Sequence, residues 1–560
     1  MKKLFVTLIA MLLPMLASAE AVEVDGIYYN LIEKGKVAEV TSVTVGPDFD
    51  PELDSYPSYS GDVIIPEQFV YAGTNYTVTS IGGHAFENCN SITSITIPNS
   101  IKSISEYAFY KCGKLSAVKV HDLAAWCNID FKGFAASPLQ YAHRLYVNDE
   151  EIVDLVIPSK VTTINRDAFK GCTSITSVKI PNNVTNIGYE SFYGCTSLTS
   201  ATIGDNNNVA STIIGFRAFS GCSGLESVTI GNNVMQIERN AFEHCTSLAS
   251  IIIPNSVKSI GSHVFMGCTN LSSVKLPENI SSIEWATFAG CSSIESITIP
   301  NTVESIKEGA FSGCTNLTSI NLPNNISSIG PIAFEQCSSL TSITIPDKVT
   351  TIEQGAFYDC ESLTDITLGR GIKTLRCGSF AKCVQLSNVY CCAEKVPTCN
   401  IEYFSYYGKA IGAFEDSFIE YITLHVPPSS VSLYQNTATW NSFGTIVGDV
   451  EVGDVPKCAT PTIKYENGKI TFSCKTDDVE YHYEITDTDI KKGSAATVAL
   501  TTTYRVSVYA TKSGYDNSDV ATKEINISSA SGSEELGDLN NDGKTDAADV
   551  VKLVNIIMNK

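Results

Sequence analysis

Between Gly309 and Gly330 the chain reads GAFSGCTNLTSINLPNNISSIG, with apolar residues at fixed offsets and Ser, Thr and Asn filling the gaps. An F-x-x-C element, usually preceded by Ala, recurs at Phe219, Phe242, Phe265, Phe288, Phe311, Phe334, Phe357 and Phe380, each 23 residues after the last. Phe86 to Phe109 and Phe169 to Phe192 are further steps of 23, while Phe192 to Phe219 is 27, the excess lying in GDNNNVASTI. A fixed period of roughly 20–29 residues predicts a solenoid built from one supersecondary unit per coil. In LTSITIP, Leu340, Ile343 and Ile345 are expected to face inward and Thr341, Ser342 and Thr344 outward, the alternation of a short strand. Pro346 ends it, because proline lacks a donor for the next ladder bond. KVTTIEQGAF then returns Val349, Ile352 and Phe357 to the core, and FYDC is expected as a short helical turn. One coil cannot bury its own apolar edge, so neighbouring coils must stack to cover it.

The full motif is L/I-x-x-I/V-x-I/L-P-x-x-V/I-x-x-I-x-x-x-A-F-x-x-C, present in about twelve copies between Ile81 and Cys383. It resembles the leucine-rich repeats of BspA-like bacterial surface proteins. That resemblance implies an α/β-type repeat solenoid with parallel strands over 81–425, a 20–80 N-terminal cap and a long insertion at about 120–158. It also implies a closing cap over 426–449, in which Tyr434, Trp440 and Phe443 plug the open end. For function it implies a secreted or cell-surface, non-catalytic protein that adheres to host matrix or to other bacteria.

Composition agrees with an ordered, exported chain. The 560 residues are 43% hydrophobic and include 23 Phe and 25 Tyr, which excludes a disordered chain. A formal charge of −22 argues against nucleic acid or anionic membrane partners, which need clustered Lys and Arg. At the N-terminus Lys2 and Lys3 precede an apolar run from Leu4 to Leu16 and the small residues Ala17-Ser18-Ala19, as in a secretory signal. Residues 1–19 are therefore expected to be a signal peptide cleaved before Glu20, leaving a charge of −24. The first cysteine is Cys89, which disfavours a lipid anchor at the new N-terminus, and no later stretch is apolar enough to insert in a membrane.

Twelve of the 19 cysteines occupy the repeat position: Cys89, Cys112, Cys172, Cys195, Cys222, Cys245, Cys268, Cys291, Cys314, Cys337, Cys360 and Cys383. Equivalent side chains of stacked coils project in parallel, a poor geometry for bridging, so a ladder of buried thiols is expected. Cys391, Cys392 and Cys399 are better candidates for a local disulfide, with Cys377–Cys383 and Cys458–Cys474 as further pairs.

Beyond a linker at 450–457, residues 458–528 alternate polar and apolar positions around Asn467-Gly468, a two-residue hairpin signal. An immunoglobulin- or fibronectin-like β-sandwich is expected there, serving as a spacer or a carbohydrate binder. A second linker, 529–536, leads to residues 537–560, GDLNNDGKTDAADVVKLVNIIMNK. Asp538, Asn540, Asp542, Asp546 and Asp549 take positions 1, 3, 5, 9 and 12 of an oxygen-rich loop, Lys544 offers its carbonyl at position 7, and Gly543 permits the sharp turn. These residues are expected to hold Ca²⁺. With Asp at position 12 and no preceding helix, the segment resembles a dockerin repeat, a module that pairs with cohesins. Dockerins carry two copies, whereas one precedes Lys560.

Chemistry is harder to find. The seven His are scattered, and no HExxH, GxSxG, P-loop or dinucleotide fingerprint occurs, so the chain is expected not to be an enzyme. What remains is surface. The outward column between the two inward residues of each strand includes Thr202, Thr229, Lys275, Thr298, Asn321, Thr344, Thr367 and Tyr390, a hydroxyl-rich strip suited to a protein or glycan, or to plain solvation. Three readings follow: an adhesion protein acting through the solenoid, a non-catalytic component of a polysaccharide-degrading assembly recruited through a cohesin-like partner of the calcium tail, or a structural surface filament.

Overall fold

The computed structural model describes residues 21–42, 58–204, 211–405, 408–450, 458–466, 469–476, 479–487, 501–511 and 517–528. The signal segment, the calcium loop 538–549 and the Asn467-Gly468 turn lie outside the described residues. The chain divides into two compact units, one up to Gly224 and one from Leu225 onward.

In the first unit the strand expected in each coil forms and runs parallel to its neighbours in a 23-residue register. Ser177–Ile180 pairs with Ser200–Ile203, placing Val178 beside Ala201 and Ile180 beside Ile203. A second sheet runs along another side, where Thr163–Ile164 pairs with Asn186–Ile187 and that strand with Thr212–Ile214. Its strands are only two or three residues long, and the sequence pattern reads them simply as a return to the core.

The third side corrects the expected α/β class, because the F-x-x-C segment is not helical. The N–H groups of Asp167, Phe169 and Gly171 cross to the carbonyls of Tyr189, Ser191 and Tyr193 in the next coil, at 3.0, 2.7 and 2.7 Å. Intervening N–H groups bond within the turn, as Cys172 does to Phe169 at 3.1 Å. A helix would send every N–H four residues back. Here left-handed residues at Asp167 (φ 56°) and Gly171 (φ 71°) turn alternate groups outward, and the result is a β-solenoid.

The N-terminal edge is covered by an antiparallel ribbon of Val22–Val24, Ile27–Ile32 and Val37–Thr41. Its last strand lies parallel to Thr74–Ile81, which leads into the second sheet. This ribbon shields strand edges that would otherwise pair with another molecule. Segment 120–158 forms an enlarged coil. Asp130–Phe131 joins the second sheet beside Ser103–Ile104, and Leu145–Val147 joins the main sheet beside Ala117–Val120. Helix α1 (Leu123–Cys127), capped by Asp122, precedes Asp130–Phe131, and helix α2 (Leu139–Ala142) lies between that strand and Leu145–Val147. Trp126 is fully buried and donates to the Ala168 carbonyl at 2.8 Å.

The second unit repeats the same coil. Ser342–Ile345, Asp365–Leu368, Asn388–Cys391, Thr423–Val426 and Thr445–Gly448 form one parallel sheet. Phe242, Phe265, Phe288, Phe311, Phe334, Phe357 and Phe380 are fully buried. Successive rings of this column lie 5.1–5.9 Å apart, stacked with their planes nearly parallel. Beside the rings the repeat cysteines are buried thiols, and Cys268, Cys291, Cys314, Cys337, Cys360 and Cys383 each donate to the carbonyl of the Phe in the preceding coil, for example Cys314 to Phe288 at 3.2 Å. At the end of the stack Phe414 meets Trp440 and Phe443, while Tyr434 and Trp440 donate to the carbonyls of Ala393 and Pro397. Tyr434 belongs to helix α3 (Val431–Gln435).

The expected local disulfides are absent among the described residues, all 19 cysteines being free. Cys391 Sγ lies 3.1 Å from Tyr434 Oη, Cys383 donates to Phe357, Cys377 faces the Tyr403 carbonyl, and Cys474 donates to the Ala459 carbonyl at 2.9 Å. These four thiols each lie against an oxygen rather than a second sulfur.

From residue 458 the chain forms two antiparallel sheets, Thr462–Glu466 with Lys469–Ser473, and Glu480–Asp487 with Thr501–Thr511 and Ala521–Ser528. Ile470, Val506 and Ile525 fill the space between them. The described strands number five, fewer than the seven of an immunoglobulin sandwich.

Candidate functional site

The parallel ladder fixes the outward strip in register. In the first unit Thr202 lies beside Lys179, and in the second Lys275 lies beside Ile252, Thr298 beside Asn321, and Thr344 beside Thr367, with Tyr390 and His425 following. Thr202, Thr229, Lys275, Thr298, Thr344 and Tyr390 are half-buried, as expected of side chains standing on a pleated sheet. Asn321 and Thr367 are each only 6% exposed. Within the second unit the register brings Thr298 beside Asn321 and Thr344, Thr367 and Tyr390 into one column, with Asn321 and Thr367 covered.

Towards its C-terminal end the strip acquires an aromatic platform. Tyr390 and His425 stack at 4.2 Å and 15°. Asp449 holds His425 Nδ1 at 2.8 Å, and Asn388 Oδ1 lies 3.3 Å from His425 Nε2. Asn388 in turn donates to Asp365 at 3.0 Å. Fixed in two directions, the imidazole lies flat against the tyrosine ring, a face suited to stacking or hydrogen bonding with a ligand. His425 falls one strand beyond the last residue of the predicted strip; continuing the column by one more coil would have found it.

A second surface emerges on the turn side of the first unit. Arg166 covers Tyr189 at 4.2 Å, Tyr189 stacks on Phe216 at 5.0 Å, and Arg217 covers Phe216 at 5.3 Å. Beneath them Lys170 reaches Asp167 at 3.6 Å and Glu190 in an ion pair. Burial pushes the Asp167 carboxyl above its ordinary range, against the pull of Lys170 and Arg166. Burial alone would lower the Lys170 ammonium, but Glu190 and Asp167 outweigh it and hold it above its ordinary value. Arg166, Tyr189 and Phe216 stand three places before the Phe of F-x-x-C, Asp167, Glu190 and Arg217 two places before it, and Lys170 directly after it. Such aromatic and Arg anchors typify protein interfaces, and the sequence reading looked for them only on the strand face.

Among the described residues no group of three or more His, Cys, Asp or Glu is arranged to hold a metal, and no helix is long and apolar enough to cross a membrane. Buried columns of Leu, Ile, Phe and Cys, with parallel coils around them, define a leucine-rich-repeat solenoid protein. The BspA type leucine rich repeat region, in six copies, matches residues 70–142, 139–212, 206–301 and 281–409, and the chain belongs to this family. A leucine-rich repeat protein from Bacteroides ovatus is similar at 26% identity and a TM-score of 0.50, with 66% of this chain and 94% of that one covered. A leucine rich cell surface protein from Faecalibacterium prausnitzii gives 24% identity and a TM-score of 0.35 over 62% of this chain and 94% of its own. The pneumococcal vaccine antigen PcpA gives 17% and 0.39 over 77% and 98%. No curated protein matches the chain. Leucine-rich-repeat proteins generally bind other proteins.

Proposed function

We propose that the chain is exported through residues 1–19 and displayed outside the cell as an adhesion protein whose strand face engages an extracellular protein or glycan. The observation that carries this reading is the in-register column Thr344, Thr367, Tyr390 and His425, a polar strip ending in an aromatic platform. Regular hydroxyls and one stacked aromatic pair favour many modest contacts over a large area rather than a single deep pocket. Membership of the BspA-type family supports the extracellular setting.

The test is retention of the chain lacking residues 1–19 on immobilised matrix proteins, on bacterial cells and on glycan arrays. Tyr390→Ala is expected to weaken retention about tenfold, in line with losing one aromatic anchor. Retention unchanged by Tyr390→Ala and by Thr344→Lys would remove the strand face from the mechanism.

We infer in addition that Asp538, Asn540, Asp542, Lys544, Asp546 and Asp549 hold one Ca²⁺, on the strength of the loop spacing alone. If this tail recruits the chain to a polysaccharide-degrading assembly through a cohesin-like partner, a chelator or Asp538→Ala with Asp542→Ala abolishes capture of that partner while leaving strand-face retention intact. Calorimetric titration of the wild-type chain with Ca²⁺ checks the site itself.

A further inference from the structure

One section of the strand face in the second unit is already engaged. In Thr501–Thr511 of the C-terminal module, Val506 and Val508 are fully buried, while the alternating Arg505 and Ser507 point to the other side of the sheet. That outer side lies against the solenoid strands. Arg505 Nη2 donates to Glu278 Oε1 at 2.8 Å, and Asn517 Nδ2 donates to Asn321 Oδ1 at 3.1 Å. Ser319 and Asn321 are 5% and 6% exposed, whereas Ser296 and Thr298 in the coil before, and Ser342 and Thr344 in the coil after, stay half-buried. Burial raises the Tyr483 phenol, and the Glu295 carboxylate of the solenoid adds to the effect. A cleft of about 330 Å³ separates the two polar faces, with Lys275, Thr298 and Thr302 on one wall and Ser507 and Thr522 on the other.

We propose that the strand face between Lys275 and Asn321 is a sheet-docking surface held in cis by the chain's own C-terminal β-module, so that an outside protein gains this section only when the module lifts away. The proposal rests on the strand-face reading of function given above. Its physical basis is the weakness of the contact. A rim ion pair contributes little in water, and an amide–amide hydrogen bond about 1 kcal/mol. Between separate molecules such a contact would not persist. Joined by one chain, the faces meet at an effective concentration in the millimolar range, enough to populate a weak dock and low enough for a competitor to displace it. The competitor that fits is a polar protein surface presenting a cation to Glu278 and an amide or hydroxyl to Asn321. Because the ion pair lies at the rim, salt should favour release.

The test uses the full chain with Arg505→Glu, Glu278→Arg and the double reversal, read by hydrogen–deuterium exchange at Ser319–Asn321 and across Arg505–Ser507. Each single variant is expected to speed exchange in both segments about fivefold, the double variant to restore wild-type protection, and Asn517→Ala to act in the same direction as the singles. Single variants that exchange at the wild-type rate, or a double variant as open as the singles, would overturn the dock. Arg505→Glu is also expected to bind whichever protein retains the wild-type chain about fivefold more tightly. Faster exchange without tighter binding would overturn the blocking role. Exchange that responds while every variant binds nothing would support the dock and place the failure in the strand-face reading instead.

Discussion

The Cys291 thiol donates to the carbonyl of Phe265 at 3.1 Å, and the same carbonyl already accepts the N–H of Cys268 at 3.1 Å. One oxygen thus closes its own turn and ties down the next coil. Cys291→Ala should remove the weaker of these bonds and leave a sulfur-sized void, costing about 1–2 kcal/mol. Cys291→Val should cost at least as much, because Cys268 and Cys314 occupy the matching places above and below and the column has no room for a branched side chain. Urea denaturation midpoints of the two variants check both statements.

Burial also governs the chemistry of these thiols. It pushes Cys112, Cys172 and Cys314 up from 9.0 to about 12, and Cys391 to about 11. A group whose folded value is raised contributes stability that is complete below its unfolded value and is lost as pH climbs towards the folded one. Thermal stability should therefore be insensitive to the thiols below about pH 9 and fall steeply between about 9 and 12. Thiolate absorbance should appear together with loss of structure rather than ahead of it. Alkylating reagents at pH 8 should leave the repeat cysteines untouched until denaturant is added.

The phenylalanine column makes a prediction about spread. Phe334 stacks on Phe311 at 5.3 Å and on Phe357 at 5.1 Å. Phe334→Ala should cost about 3–5 kcal/mol and raise hydrogen exchange in the coils on both sides, since each coil is stabilised by its neighbours. Phe334→Leu, which keeps most of the volume, should localise the damage to one coil.

Two glycines test the packing of the side hairpin Glu402–Phe404 with Lys409–Ile411. Gly355 and Gly378 have φ of 61° and 65°, and a Cβ on either would stand 2.9 Å from the Phe404 ring. Gly378→Ala combines left-handed strain with displacement of that ring, so it should cost more than the roughly 1 kcal/mol expected from backbone strain alone. Protease susceptibility within the hairpin should rise before the solenoid itself opens.

The period, the inward Leu, Ile and Phe columns and the thiol ladder were legible in the sequence because each coil repeats the same burial problem. Strands such as Ser305–Ile306 were not, since two residues carry no alternation. F-x-x-C has the spacing of a helical turn. Only the left-handed backbone at Gly309 and Gly313, which sends alternate N–H groups to the next coil, distinguishes it from one. On the strip, the register was readable but the covering of Asn321 was not, because its partner Asn517 comes from 196 residues away. The Arg166, Tyr189, Phe216 and Arg217 stack sat at variable positions that a consensus discards.

The 23-residue register has a consequence for how such a chain can change. Excising residues 289–311 would join Phe288 to Ser312, the residue that follows Phe in the next coil, and leave every ladder partner, ring neighbour and thiol acceptor in kind. Reach is therefore adjustable in whole-coil increments by recombination between near-identical segments, without redesign of either terminus. A deletion of 22 or 24 residues at the same place would scramble all the columns at once, so gene-level slippage is filtered by folding itself.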